Sequence, residues 1–183
     1  MARLMNTTGV AALLGALLVS GPVAAQDDET AYAEWGGLSV RGDAPHYLDV
    51  GAGVFDLRAT FEDSEGSAAG RLEVRGGKKL WFLGPAAGLM ANTDGGVFGY
   101  GGIYADIAFG RFVVTPLVAI GGYRQGDSKY LGGVFQFRQS LGLSYQFQNR
   151  HRLGLSVTHS SNAGIYDNNP GVEELYVTYA FPF

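Results

Sequence analysis

The chain has 183 residues, a length that suits one domain. It holds 29 glycines, no cysteine, 46% hydrophobic and only 16% charged residues, which excludes a disordered chain, a disulfide framework and thiolate chemistry. A formal charge of −4 argues against a protein that tracks nucleic-acid phosphates.

The first segment, Met1 to Ala25, reads as a secretory signal peptide. Arg3 supplies a thin positive start, and Gly9 to Val19 forms an apolar core. Gly21-Pro22 then breaks the run, and Val23-Ala24-Ala25 offers the small residues that a signal peptidase requires. The apolar run falls short of the roughly 20 residues that cross a bilayer as a helix. The expected mature chain is residues 26–183, exported from the cytoplasm.

The sequence after Ala25 lacks a helical stripe and reads as strands separated by clusters of Gly, Asp, Asn and Pro. Eight segments are expected: Tyr32–Arg41, Tyr47–Phe61, Arg71–Phe82, Val97–Phe109, Phe112–Tyr123, Gly133–Phe147, Arg152–Ser160 and Glu173–Phe183. Gly84-Pro85 is expected to bend or end the third. Gly99-Tyr100-Gly101-Gly102 lies inside a strand rather than before a helix, the wrong context for a phosphate loop.

Alternation within the strands bears on their environment. In the sixth, Phe135, Phe137, Leu141, Leu143, Tyr145 and Phe147 share one face, and Gln136, Arg138, Ser140, Gly142, Ser144 and Gln146 the other. In the last, Leu175, Val177, Tyr179, Phe181 and Phe183 alternate with Glu174, Tyr176, Thr178 and Ala180. A soluble, lipocalin-like barrel is the alternative to a membrane one. Small or polar residues on the second face, strand after strand, match a minimal barrel with a filled polar lumen. The fold class expected is all-β, an eight-stranded antiparallel transmembrane β-barrel. Glu73, Arg75, Asp106 and Arg138 fall on inward phases and read as a lumen charge network. The terminal Phe183, with apolar residues at alternate positions before it, resembles the C-terminal signature of bacterial outer-membrane barrels.

One cluster breaks the outward apolar row. His159 and Ser161 fall in phase with Leu153, Leu155 and Val157, and Glu173 in phase with Leu175 and Val177. Ionisable groups on a lipid-facing row are costly and mark function. Their types match acyl transfer: a serine hydroxyl needs a base, histidine supplies one, and a carboxylate orients the imidazole. One in-phase register sets Glu173 opposite His159 and another sets it opposite Ser161; the first suits a triad better. Ser160 points to the lumen phase, which favours Ser161 as nucleophile. Gln139 is the one polar interruption in the outward row of the sixth strand. If the turn Gln148–Arg150 has three residues, Gln139 stands opposite His159 and is placed to orient substrate or imidazole. His46 and His151 sit beside expected turns and read as ordinary side chains.

The run His159-Ser160-Ser161-Asn162-Ala163-Gly164, then Asn169-Pro170-Gly171-Val172-Glu173 and a closing strand, resembles the lipid A 3-O-deacylase (PagL) family. That resemblance implies an outer-membrane barrel of eight strands that removes the ester-linked 3-O-acyl chain of lipid A. It places the catalytic roles on Ser161, His159 and Glu173, and the asparagine after the serine on Asn162. The Asn162 side chain and the backbone N–H groups of residues 162–164 are the candidate oxyanion donors. The expected substrate is lipopolysaccharide at its lipid A, met in the outer-membrane lipid, with no metal or cofactor. A structural or adhesion barrel without catalysis is the alternative function, and an esterase of another glycerolipid a third. A homodimer is left open by the sequence.

Overall fold

The computed structural model describes residues 29–61 and 66–183; the signal segment expected over residues 1–25 lies outside them. In chain order the described strands are β1 (Ala31–Trp35), β2 (Leu38–Arg41), β3 (Tyr47–Phe55), β4 (Ser67–Arg75), β5 (Gly84–Asn92) and β6 (Val97–Tyr104). They continue with β7 (Ile107–Phe109), β8 (Phe112–Arg124), β9 (Phe135–Gln146), β10 (Arg152–Ser161) and β11 (Val172–Pro182). One short helix, α1 (Leu57–Phe61), follows β3.

Alternation dictates which face each residue takes, and here the usual partition is inverted. Along β4, Ser67, Ala69, Arg71, Glu73 and Arg75 are buried while Leu72 and Val74 are exposed. Arg71 is 2% exposed and Leu72 53%. A strand with charge inside and hydrocarbon outside is stable only where the outside is lipid.

Antiparallel pairing runs β3–β4–β5–β6–β8–β9–β10–β11 and returns from β11 to β3, with Tyr47 opposite Pro182. Eight strands therefore close a barrel and leave none of its edges unpaired. The lumen is filled by paired charges. Arg71 meets Asp49 at 2.7 Å, and Arg75 meets Glu73 at 2.7 Å with the Tyr100 hydroxyl donating to the same Glu73 at 2.6 Å. Arg152 meets Asp106 at 3.1 Å. Arg138 grips Glu174 with two hydrogen bonds of 2.7 and 2.8 Å. The network expected from Glu73, Arg75, Asp106 and Arg138 is thus in the lumen, each charge partnered as burial demands.

Several expected elements differ. Arg71–Phe82 is replaced by β4, which starts at Ser67 and ends at Arg75; Gly84-Pro85 opens β5 instead of bending or ending the third strand; and Val97–Phe109 divides into β6 and β7. Tyr32–Arg41 is not a barrel strand but a hairpin, β1–β2, turned at Gly36-Gly37 and joined to the sheet through β7. The segment Tyr47–Phe61 stops at Phe55, because Asp56 takes a φ of 61° and turns the chain into α1. β5 is a strand that the sequence pattern does not announce. Its residues, GPAAGLMAN, include no β-branched or aromatic side chain. Its inward positions Gly84, Ala86 and Gly88 are small because tyrosine rings from β6 occupy the lumen beside them: a Cβ on Gly84 would sit 2.5 Å from the Tyr104 ring and one on Gly88 2.5 Å from the Tyr100 ring. One strand lost at the start and one gained here leave the count at eight.

Both ends of the barrel strands' chain, Tyr47 and Pro182, lie at one end, with the turn at residues 147–151. Segments 56–61, 125–134 and 162–171 lie at the other.

Candidate active site

β10 carries the alternation straight into the site. Arg152, Ser156, Thr158 and Ser160 are buried in the lumen, while Leu153, Leu155 and Val157 face outward. His159 and Ser161 continue that outward row, and Glu173 holds the same phase on β11. The register sets His159 opposite Glu173 on one side and opposite Gln139 on the other. His159 Nδ1 lies 3.2 Å from Glu173 Oε1. The carboxylate can only accept, so Nδ1 carries the proton and Nε2 keeps its lone pair. The imidazole is 44% exposed and the carboxylate side chain 22%, on a wall otherwise apolar.

Ser161 ends β10 opposite Phe137, half-exposed and two residues from His159 on the same face. Its hydroxyl makes no hydrogen bond among the described residues. Ser160 is buried on the other face, where Arg138 Nη1 donates to its Oγ at 3.2 Å. Gln139 is exposed beside His159 on the outer surface.

Asn162 is placed differently from an oxyanion donor. It is fully buried, and its amide donates to the carbonyls of Leu131 at 2.9 Å and Asn168 at 2.7 Å. Its Oδ1 accepts from Gly164 N–H at 2.9 Å, and its own N–H donates to Asn169 Oδ1 at 3.0 Å. Those bonds lock the β10–β11 segment onto the β8–β9 segment and use both amide hydrogens. Ala163, at a φ of 54°, is left with the one N–H of this turn that has no partner among the described residues.

Two residues at the site carry no functional signal in the sequence pattern. Arg58 of α1 donates from Nη2 to Glu173 Oε1 at 2.9 Å, so one oxygen serves both Arg58 and His159. Its segment looks like a continuing strand in sequence, which conceals it. Gly171, at a φ of 64°, backs the imidazole: a Cβ there would stand 3.0 Å from His159 Cε1. Its one clue is its place in the Asn-Pro-Gly run. His46 accepts from Gly77 N–H at 3.1 Å and His151 packs against Tyr179 and Phe181, both at the far end.

A closed ring of eight strands with a charged lumen and an apolar outer wall defines a transmembrane β-barrel of the bacterial outer-membrane kind. A model of the family Lipid A 3-O-deacylase (PagL) matches residues 30–182. The chain belongs to that family, and it is an outer-membrane barrel. It is 40% identical over 55 residues to "Lipid A deacylase PagL" of Bordetella bronchiseptica, covering 30% of this chain and 31% of that one. It is 33% identical over 66 residues to "Lipid A deacylase PagL" of Pseudomonas aeruginosa, covering 36% of this chain and 38% of that one. The matched segments thus span 31% and 38% of the two relatives, well short of their full length. Among solved structures, the crystal structure of the outer membrane enzyme PagL aligns with a TM-score of 0.56 at 19% identity, over 75% of this chain and 99% of its own. A de novo designed transmembrane β-barrel aligns with a TM-score of 0.50 at 14% identity, over 79% of this chain and 99% of its own. At such identities the likeness is one of fold.

Proposed function

We propose that the protein is an esterase of the outer membrane that removes the 3-O-acyl chain of lipid A, with Ser161 as nucleophile, His159 as base and Glu173 as the group that orients it. The observation that carries this reading is the His159–Glu173 pair, 3.2 Å apart on a lipid-facing row, with Ser161 next on that row. Family membership supplies the substrate class.

The chemistry follows from the protonation states. With Nδ1–H given to Glu173, Nε2 is the free base for the Ser161 hydroxyl, which swings onto it when an ester occupies the site. Ser161 Oγ attacks the ester carbonyl as its proton moves to Nε2. The tetrahedral oxyanion that forms needs preorganised donors, and the Ala163 N–H is the remaining candidate in the turn. Collapse expels the sugar oxygen, which takes the proton from His159, and leaves the acyl group on Ser161. Water, deprotonated by His159, then releases the fatty acid and restores the hydroxyl.

Orientation supports access to substrate. Single-chain bacterial barrels keep short turns in the periplasm and longer segments outside. The site stands at the end that carries segments 125–134 and 162–171, which supports a position in the outer leaflet, where lipopolysaccharide would reach it by lateral diffusion.

The test is mass spectrometry of lipid A from cells making the protein or its Ser161→Ala variant. Loss of one hydroxyacyl chain with the first and not the second is the expected result. Unchanged lipid A from cells with a folded, inserted barrel would overturn the reading in favour of a structural barrel or another ester substrate.

A further inference from the structure

The barrel wall divides where β6 ends. Up to Tyr104 this strand lies between β5 and β8. From Ile107 it resumes as β7, still paired to β8, but its other edge now pairs with β2. β2 carries β1, so β7, β2 and β1 form a flap that departs from the ring at Ala105–Asp106. The wedge between flap and wall is a groove of about 440 Å³. Tyr32, Trp35 and Ile107 line it from the flap, Phe82 from the β4–β5 turn, and Ile103 and Val118 from the wall. The Tyr32 and Phe82 rings meet at 5.4 Å. Every residue lining it is apolar or aromatic.

Such a volume falls in the range of small-molecule sites, about 300–1,000 Å³. A wholly apolar space of this kind offers water no hydrogen-bond partners and does not hold it. Ile103 and Val118 belong to the outward, lipid-facing row, so the groove is continuous with the surface that meets hydrocarbon. The flap lies at the end opposite His159, beside the chain ends of the barrel strands. Exposed Trp35, Trp81 and Arg111 stand at that same end, with Lys78, which is paired to Asp43 at 3.3 Å. Aromatic rings there sit at headgroup depth, and the Arg111 guanidinium suits a lipid phosphate.

We propose that this groove is a binding site for one acyl chain of a phospholipid from the periplasmic leaflet, clasped between the flap and the barrel wall. The choice of leaflet rests on the proposed orientation, with the short turns in the periplasm; the groove and its occupancy do not depend on catalysis.

The test uses the whole mature protein in bilayer nanodiscs containing phosphatidylethanolamine with a photoreactive acyl chain. Crosslinks are expected to concentrate on Phe82, Ile107 and Val118 over Leu155 and Val177, which lie on the open wall. After transfer to mild detergent, native mass spectrometry is expected to retain one phospholipid per chain. Val40→Trp, which fills the groove from the flap, should remove that lipid, whereas Leu155→Trp and Ser161→Ala should keep it. Heat-modifiable electrophoretic mobility verifies that each variant is folded. Even labelling around the barrel, a retained lipid unaffected by Val40→Trp, or labelling by lipid A chains in place of phospholipid would each overturn the proposal. If Ser161→Ala retains the phospholipid but lipid A is never cleaved by the native chain, the groove stands and the catalytic reading falls.

Discussion

At the scale of single residues, one carboxylate oxygen decides how the site is tuned. Glu173 Oε1 accepts from both His159 and Arg58, but the two contacts differ in kind. In the proposed mechanism His159 is the reacting base, and removing its orienting acceptor frees it to adopt the wrong tautomer. In serine hydrolases that loss costs up to about 10⁴-fold in turnover. Arg58 is a 70% exposed partner, and exposed ion pairs contribute only about 0–1 kcal/mol. Glu173→Gln is therefore expected to lower kcat by about 10²- to 10⁴-fold, and Arg58→Ala by less than about tenfold. Steady-state assays on detergent-solubilised substrate separate the two. An Arg58→Ala loss as deep as that of Glu173→Gln would mean that the arginine touches the reacting groups.

At the scale of elements, the site is held by a cross-tie between two segments, and Asn162 is its centre. Asn162→Ala removes bonds to Leu131, Asn168 and Gly164; the Leu131 carbonyl keeps Gln136 Nε2 as a donor, while the Asn168 carbonyl and Gly164 N–H lose this partner, at about 1–3 kcal/mol for each that stays buried. Activity is expected to fall together with faster proteolysis of segment 162–171. A fall in kcat with unchanged protease resistance would point instead to direct contact with the oxyanion. The strands that form the site are legible in sequence because their alternation is strict and their polar interruptions few. Phase and one short turn suffice to set His159, Gln139 and Glu173 opposite one another. β5 is not legible, since residues that make room for Tyr100 and Tyr104 carry no strand signal of their own. Neither is α1, where a positive φ at Asp56 ends an apolar run that still looks extended. Arg58 is hidden with it, and the role of Asn162 is hidden because the partner that ties its turn to another segment, the Leu131 carbonyl, lies 31 residues away.

At the scale of the whole molecule, the barrel offsets the cost of a charged lumen by giving its buried charges partners of opposite sign. Glu174 is the clearest case, fully buried and doubly bonded to Arg138 directly behind the outward triad row. Glu174→Gln leaves the Arg138 charge without its carboxylate partner, a loss of about 3–5 kcal/mol in buried pairs. Urea titration in lipid vesicles is expected to register that drop. An unchanged midpoint would show that the lumen is wetter than its burial implies. The same closure that makes the lumen expensive makes the outer wall a rigid platform. His159 is paired to Gln139 on one side and Glu173 on the other, so the imidazole and its carboxylate are positioned before substrate arrives. The most direct measurement is mass spectrometry of the acyl-enzyme, trapped by rapid acid quench of the purified barrel with lipid A. A hydroxyacyl adduct on the peptide bearing Ser161, absent from Ser161→Ala, is the result expected. An adduct on Ser160, or cleavage of lipid A that persists in Ser161→Ala, would contradict the assignment.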